Sequence, residues 1–423
     1  MTDTEPPPAP RGACPTLDNP MRVADGLLAR FRPEAGLTPD QVAALAQAAK
    51  TYGNGLIEVT ARGNLQIRGL SDTSTDAFRR ALNQAGIMAQ PVPAIETSPI
   101  AGNDPKELAD PRSLARKLRA VCDAALAKGP LSPKLSIVLA SGGQVLLDGL
   151  KADIRLVARS DGWALDVGST SLGILGEDGV PGAVEAILEA LQEMGPKARG
   201  EHLDRAAMAG TLNELRPLAE PGARALGMTI GPLSLAAGAP GLRIGLPFGQ
   251  VRAEQVEELA RTMQLYGVSE LHPAPERTFV LLGFSARALR DLAPALAAFG
   301  YLTRPDVGMA QLSLCSGAER AEGGIIQAAE VAKALYATRT DVVDGSFHLH
   351  VSTCAKGCPH AGRPGLVLDG GELRLYRAEG AKPLATLDAA AIEAGVVSLA
   401  ERIRDNRRSG ETTLMVLDRL GHQ

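Results

Sequence analysis

Three of the chain's five cysteines fall in one C-terminal stretch of its 423 residues. Cys354 and Cys358 stand in HLHVSTCAKGC (348–358), and Cys315 lies upstream in LSLCSGAER. A Cys-x3-Cys spacing sets two thiolates one helical turn or one tight loop apart, within reach of one inorganic centre. With Cys315 they form a set that suits an iron–sulfur cluster, which thiolates hold. Zinc takes the same ligands, and small buried hydrophobes have the same spelling. His348 and His350 alternate along a strand and point the same way, and His360 follows the last cysteine. These three are either candidates for a mononuclear iron or ordinary strand histidines. Cys122 lies in the helical stretch Leu118–Leu126 and reads as core.

A second constellation is the segment EVTARGNLQIRG (58–69), polar where a core strand would not be. A three-residue loop from Gly63 to Leu65 would set Arg62 opposite Gln66 and Thr60 opposite Arg68. All four side chains would then share one face, because strand side chains alternate with period two. Guanidinium groups bind carboxylates bidentately, so such a face suits a ligand rimmed with carboxylates. The other reading is a solvated sheet face.

The elements that carry these residues are duplicated. Thr38-Pro39-Asp40-Gln41 spells an N-cap, a proline at the first helical position and a capping-box glutamine. Val42, Leu45, Ala46 and Ala49 recur at helical spacing, and Tyr52-Gly53 ends the run. Strands follow at Leu56–Arg62 and Leu65–Leu70. The same layout returns 214 residues later without a gap: Gln255-Val256, Leu259, Ala260, Met263, Tyr266-Gly267 and, in the hairpin, Gly283 for Gly69. Each copy opens on a strand, near Leu27–Phe31 and Leu242–Leu246. Two such αβ units predict a pseudo-twofold pair with a cleft for a large ligand. The region between the copies reads as helices near 111–128 and 182–195, with strands near 134–140, 144–148, 152–158 and 162–166.

The predicted organisation is therefore α+β. An extended arm (1–24) precedes a first half-domain (25–90) and a larger αβ domain (91–235). A second half-domain (236–300) and an αβ domain with the clustered cysteines (301–423) follow. Hydrophobic residues make up 45% and charged residues 22%, with a net charge of −4. That is ordinary globular composition, with no global basic field for nucleic acid or anionic membrane. The N-terminal MTDTEPPPAP is the opposite of a secretory signal, no apolar run is long enough for a membrane span, and five cysteines are too few for a disulfide framework. A cytoplasmic protein with reduced thiols is expected. Nucleotide loops (GxxxxGK[ST], GxGxxG), a GxSxG elbow and HExxH are all missing from the sequence. Redox chemistry would thus draw its electrons from an external donor.

At these residues the chain resembles the nitrite and sulfite reductase superfamily. TARGNLQIRG is similar to the polar hairpin with which those enzymes grip siroheme. SPIAGNDP (98–105) resembles their SPLAG segment, LSPKLS (131–136) their lysine-bearing strand, and the duplicated unit their ferredoxin-like half-domains. RGACPTLDNPM followed by DGLLARFRP (11–33), and HVSTCAKGC, resemble the branch that hydroxylates precorrin-3A in aerobic cobalamin biosynthesis. That resemblance implies an oxygen-dependent monooxygenase acting on a tetrapyrrole, fed by NADH-derived electrons. It implies a [4Fe–4S] cluster and a non-haem iron, without siroheme. Thr60, Arg62, Gln66, Arg68 and Lys134 become substrate-binding candidates, and Cys315, Cys354 and Cys358 cluster ligands. Two departures separate the chain from the reductases: Pro93 stands where they carry an arginine, and Ser136 where they carry a second lysine. A third concerns the cluster. The superfamily's Cys-x5-Cys would place its second cysteine at Ala321, so Cys14 in the arm is the candidate fourth ligand. The other readings are a siroheme-dependent reductase and a tetrapyrrole-binding protein without a cluster.

Overall fold

A computed structural model describes residues 15–23, 25–147, 149–212, 214–217, 230–304, 312–314, 334, 344, 346, 349–352, 365–369, 372–376, 383–388 and 392–421. The chain divides into two compact units, residues 1–21 with 89–228 and residues 22–88 with 229–423.

The first half of the duplication runs β1 (Met21–Val23), β2 (Gly26–Phe31), α1 (Pro39–Tyr52), β3 (Leu56–Val59), β4 (Leu65–Leu70) and α2 (Thr75–Gln84). Helix α1 starts where the capping box places it. Thr38 Oγ1 accepts from Gln41 N, and Gln41 Oε1 accepts from Thr38 N at 3.0 Å. Val42, Leu45, Ala46 and Ala49 are buried on one stripe of the helix.

The intervening unit contains β5 (Ala94–Glu96), α3 (Arg112–Lys128), β6 (Ser136–Ala140), β7 (Ile154–Arg159), β8 (Gly162–Val167), β9 (Thr170–Leu175), α4 (Val180–Met194) and α5 (Arg205–Thr211). Its strands form one sheet in the order β5-β6-β7-β8-β9. Leu114, Leu118 and Cys122 of α3 share a core with Ile187, Leu188 and Leu191 of α4 and with Trp163 of β8. Cys122 is thus a core residue, as its helical setting predicts, and burial pushes its thiol up to about 11. The strand expected at 144–148 does not form over its described residues, 144–147. Gln144 N donates to Asp104 Oδ2 at 2.5 Å, and Leu108 N donates to Ser141 O. Gln144 thus serves Asp104 of the SPIAGNDP segment instead of a ladder, while Val145 and Leu147 are buried.

The second copy follows as β10 (Gly231–Ser234), β11 (Pro240–Gly245), β12 (Gln250–Arg252), α6 (Ala253–Tyr266), β13 (Glu270–Ala274), β14 (Thr278–Leu282) and α7 (Ala286–Ala298). Strands β2 and β11, and helices α1 and α6, coincide under the 214-residue shift at both ends. The two sheets share one order, β2-β4-β3 in the first and β11-β14-β13 in the second. The halves also trade edges. Val251 of β12 pairs with Ile57 of β3, and Leu37 pairs with Leu271 of β13. Lys50 meets Glu254 at 3.3 Å, and Gln264 donates to Asp40 at 2.9 Å. Both relations repeat under the same shift, so the contact between the halves is reciprocal, as in an isologous dimer.

Beyond the second copy lie β15 (Leu312–Leu314), β16 (Leu349–Ser352), β17 (Gly365–Asp369), β18 (Glu372–Tyr376), β19 (Pro383–Asp388), α8 (Ile392–Asn406) and α9 (Thr413–Gly421). These strands form one sheet in sequence order. Among the described residues no helix is long and apolar enough to cross a membrane.

Candidate functional site: a polar sheet face and an arginine-ringed turn

The hairpin β3–β4 pairs differently from the expected register. Glu58 stands opposite Gln66 and Val59 opposite Leu65, so the loop is Ala61–Gly63. The physical reason is Gly63, whose φ of +81° fits the last position of a three-residue loop. Thr60 closes the turn: its N–H donates to Asn64 O, its carbonyl accepts from Gly63 N, and its Oγ1 accepts from Asn64 N at 3.0 Å. Arg62 therefore sits in the turn and not opposite Gln66. The pairing shift preserves parity, so Thr60, Gln66 and Arg68 still lie on one face.

That face is polar across four strands. Arg30 of β2 lies opposite Gln66, Gln66 opposite Glu58, and Glu58 opposite Gln250 of β12. Their side chains form a chain of hydrogen bonds. Arg30 Nη2 donates to Gln66 Oε1 at 2.7 Å, Gln66 Nε2 donates to Glu58 Oε2, and Gln250 Nε2 donates to Glu58 Oε1 at 3.4 Å. The opposite face carries Ala29, Phe31, Ile57, Val59, Leu65 and Ile67, all buried.

Arg68 is committed within the protein. It is buried and makes a bidentate pair with Asp25 at 2.7 and 2.8 Å, and Glu58 Oε2 lies 3.7 Å from its Nη1. Two arginines and two carboxylates (Arg30, Arg68, Asp25, Glu58) thus neutralise one another beneath the face. Three further arginines stand around the turn, with Glu276 of the second copy beside them. Arg32 Nη2 donates to Arg62 O and its Nε to Asn64 Oδ1 at 3.3 Å, and Arg277 Nη1 donates to Val59 O at 3.4 Å. Arg32, Arg62 and Arg277 are half-buried and surround Val59–Asn64. The sequence reading missed Arg32 and Arg277. Arg32 was visible in the alternation of Arg30 and Arg32; Arg277 comes from the second copy and carries no local signal.

Other candidates are placed less tightly. Lys134 lies in the turn two residues before β6 and not on the strand, half-buried, with its N–H donating to Ser132 Oγ at 3.4 Å. His350 is buried on β16, between Ser313 of β15 and Gly365 of β17. Cys14, Cys315, Cys354, Cys358, His348 and His360 lie outside the described residues. The described strands that lead to two of them run parallel and adjacent, Leu314 opposite Val351. The chain therefore enters the Cys315 and the Cys354 segments from the same end of one sheet, which fits a shared thiolate-held centre. No group of three or more His, Cys, Asp or Glu able to hold a metal occurs among the described residues.

Comparison with known proteins fixes the class first. Residues 19–85 match the nitrite/sulfite reductase ferredoxin-like half domain. The solved structure of Mycobacterium tuberculosis NirA superposes with a TM-score of 0.73 over 93% of this chain and 83% of that one, at 16% identity. The fold is that of a nitrite/sulfite reductase-like protein. Ferredoxin–nitrite reductase from Leptolyngbya laminosa is 39% identical, over 23% of this chain and 19% of its own length. A precorrin-3B synthase from a Sinorhizobium species is 36% identical across 97% of this chain and 93% of its own. The chain belongs to the precorrin-3B synthase family.

Proposed function

We propose that this protein hydroxylates precorrin-3A to precorrin-3B, with its hydroxylactone, using dioxygen. The observation that carries the reading is the 36% identity to a precorrin-3B synthase over nearly the full length of both chains. One oxygen atom enters the product and the other leaves as water, so the reaction consumes an electron pair from an external, NADH-derived donor. A [4Fe–4S] cluster would pass those electrons on, and a non-haem iron with an open position would activate dioxygen. Cys315, Cys354 and Cys358 are the cluster ligands in this reading, with Cys14 as the fourth. His348, His350 and His360 are the candidates for the second iron. No siroheme is required.

The arginine-ringed turn supports this assignment. A tetrapyrrole rimmed with carboxylates needs several guanidinium groups in fixed positions. Arg62 in the turn is the candidate, with Arg32 and Arg277 beside it, and Thr60 shapes the turn; Lys134, on the other compact unit, is a separate candidate. Gln66 and Arg68 act from beneath, keeping the polar face rigid and neutral. The pairing of residues 25–90 with 236–300 as half-domains is part of the same assignment.

The test is incubation of the purified holoprotein with precorrin-3A, a reducing system and ¹⁸O₂. The expected product has gained one labelled oxygen atom. Unchanged precorrin-3A, with a siroheme absorption band and reduction of nitrite or sulfite, would establish a reductase instead. Tight precorrin-3A binding without oxygen uptake would establish a carrier.

A further inference from the structure

The tip of the second hairpin grips the turn of the first, and a buried arginine holds that tip. Arg243 of β11 is 1% exposed. Its Nη2 donates to Pro275 O at 2.8 Å and its Nε to Thr278 Oγ1 at 3.0 Å. Thr278, itself fully buried, donates from Oγ1 to the same Pro275 carbonyl at 2.8 Å. These three bonds close a loop whose two central residues, Glu276 and Arg277, have φ of +60° and +62°. Left-handed backbone at consecutive non-glycine residues persists only where the surroundings enforce it.

The enforced tip has a definite partner. Glu276 N donates to Ala61 O at 2.9 Å, and Arg277 reaches Val59 O. Gly63 lies so near that a Cβ there would stand 2.6 Å from Ala274 C. All three contacts fall on Val59–Gly63, the turn that bears Arg62. The ladder place opposite residue 66 in the first half, one residue out of step with the 214-residue shift that sets Arg243 on Ala29, shows what is particular here. There Arg30 lies opposite Gln66 and is linked through it to Glu58; Arg243 lies opposite Val280, with His272 beyond. Arg243 is turned to the hairpin tip, and burial pulls its pKa down to about 10, with the Glu276 carboxylate opposing that shift. It remains cationic at neutral pH.

We infer that Arg243 and Thr278 are positioning residues for substrate binding: they lock the Pro275–Arg277 tip, and the tip holds the Arg62 turn in the geometry that receives a tetrapyrrole carboxylate. The inference rests on the reading under Proposed function. Its test is equilibrium binding of precorrin-3A to the anaerobic full-length holoprotein, followed by tetrapyrrole fluorescence, with the thermal midpoint measured alongside. The variants are R62A, T278V, T278S, R243K and the R62A/T278V double. T278V keeps shape and removes the hydroxyl, so it stays informative if R243K does not fold.

R62A is expected to raise Kd about tenfold or more, the scale of a lost hydrogen bond to a charged group. T278V is expected to raise it several-fold while T278S restores it, and the double variant is expected to bind no worse than R62A. A T278V protein with unchanged Kd, or full additivity with R62A, would overturn the inference alone. An R62A protein with unchanged Kd would overturn the carboxylate-binding turn, and the inference with it.

Discussion

Arg68 and Arg62 sit six residues apart on one hairpin and have opposite energetics. Arg68 is buried against Asp25 and Glu58, so its removal strands two carboxylates away from water. Breaking a buried pair from one side costs about 3–5 kcal/mol. R68M is therefore expected to lower the thermal midpoint sharply, by an amount that calorimetry resolves, and to lose substrate binding only as a consequence. Arg62 is half-buried in a turn whose own bonds are made by Thr60, Gly63 and Asn64. R62A should cost less stability in denaturant unfolding than R68M, because no buried carboxylate pair is broken, while its affinity falls. Composition alone does not separate these arginines; both stand in TARGNLQIRG. Burial separates them, and the sequence carries no statement of it, because Asp25 lies 43 residues away.

At the scale of elements, local chemistry made the helices and the duplication legible. The capping box at Thr38, the apolar stripe of α1 and the 214-residue repeat all appear in the structure where the sequence places them. The hairpin register did not follow, because a glycine next to an asparagine can open or close a loop, and only the positive φ of Gly63 decides. This gives Gly63 two jobs, the turn and the room for Ala274. Gly63→Ala should destabilise the protein by at least about 1 kcal/mol from the backbone alone, with more from the Ala274 overlap, and should weaken precorrin-3A binding in a titration. The exchanged edge of β12 was equally illegible: a three-residue strand joins β3, with Gln250 opposite Glu58 192 residues earlier, for which no local pattern exists. A different element gives a pH prediction. Arg419 of α9 clamps Glu411 through two bonds of 2.7 and 3.1 Å, and with Arg408 N–H it holds that carboxylate down at about 2. A depressed carboxylate contributes stability above its unfolded pKa, near 4.3, and loses it as pH falls through the folded value. Amide exchange along Thr413–Gly421 should therefore accelerate as pH falls from about 4.5 toward 2 beyond its intrinsic pH dependence. E411Q should exchange faster at neutral pH and lose this acid-induced increment.

At the scale of the whole molecule, the proposed [4Fe–4S] cluster raises the question of where a chain with Ala321 would find its fourth ligand. The parallel neighbours β15 and β16 bring two of the cysteine-bearing segments off one sheet end, and Cys358 follows Cys354 closely in sequence. The spacing reads as three ligands on one body. A [4Fe–4S] cluster takes four thiolates, and the remaining cysteines are Cys122 and Cys14. Cys122 is fully buried among the apolar side chains of the α3–α4 core, where it serves packing. Cys14 is left, from an arm otherwise rich in proline and poor in core-forming residues. If it is the fourth ligand, anaerobically purified protein should hold about four cluster irons with matching acid-labile sulfide, and C354S and C358S should each lose most of both. C14S should then lose cluster content or yield a three-iron form, with the characteristic electron paramagnetic resonance signal after oxidation. A C14S protein with unchanged iron, sulfide and spectrum would remove the arm from the centre. The fourth position would then belong to an oxygen or nitrogen ligand, and the arm's resemblance to the family would need a separate cause.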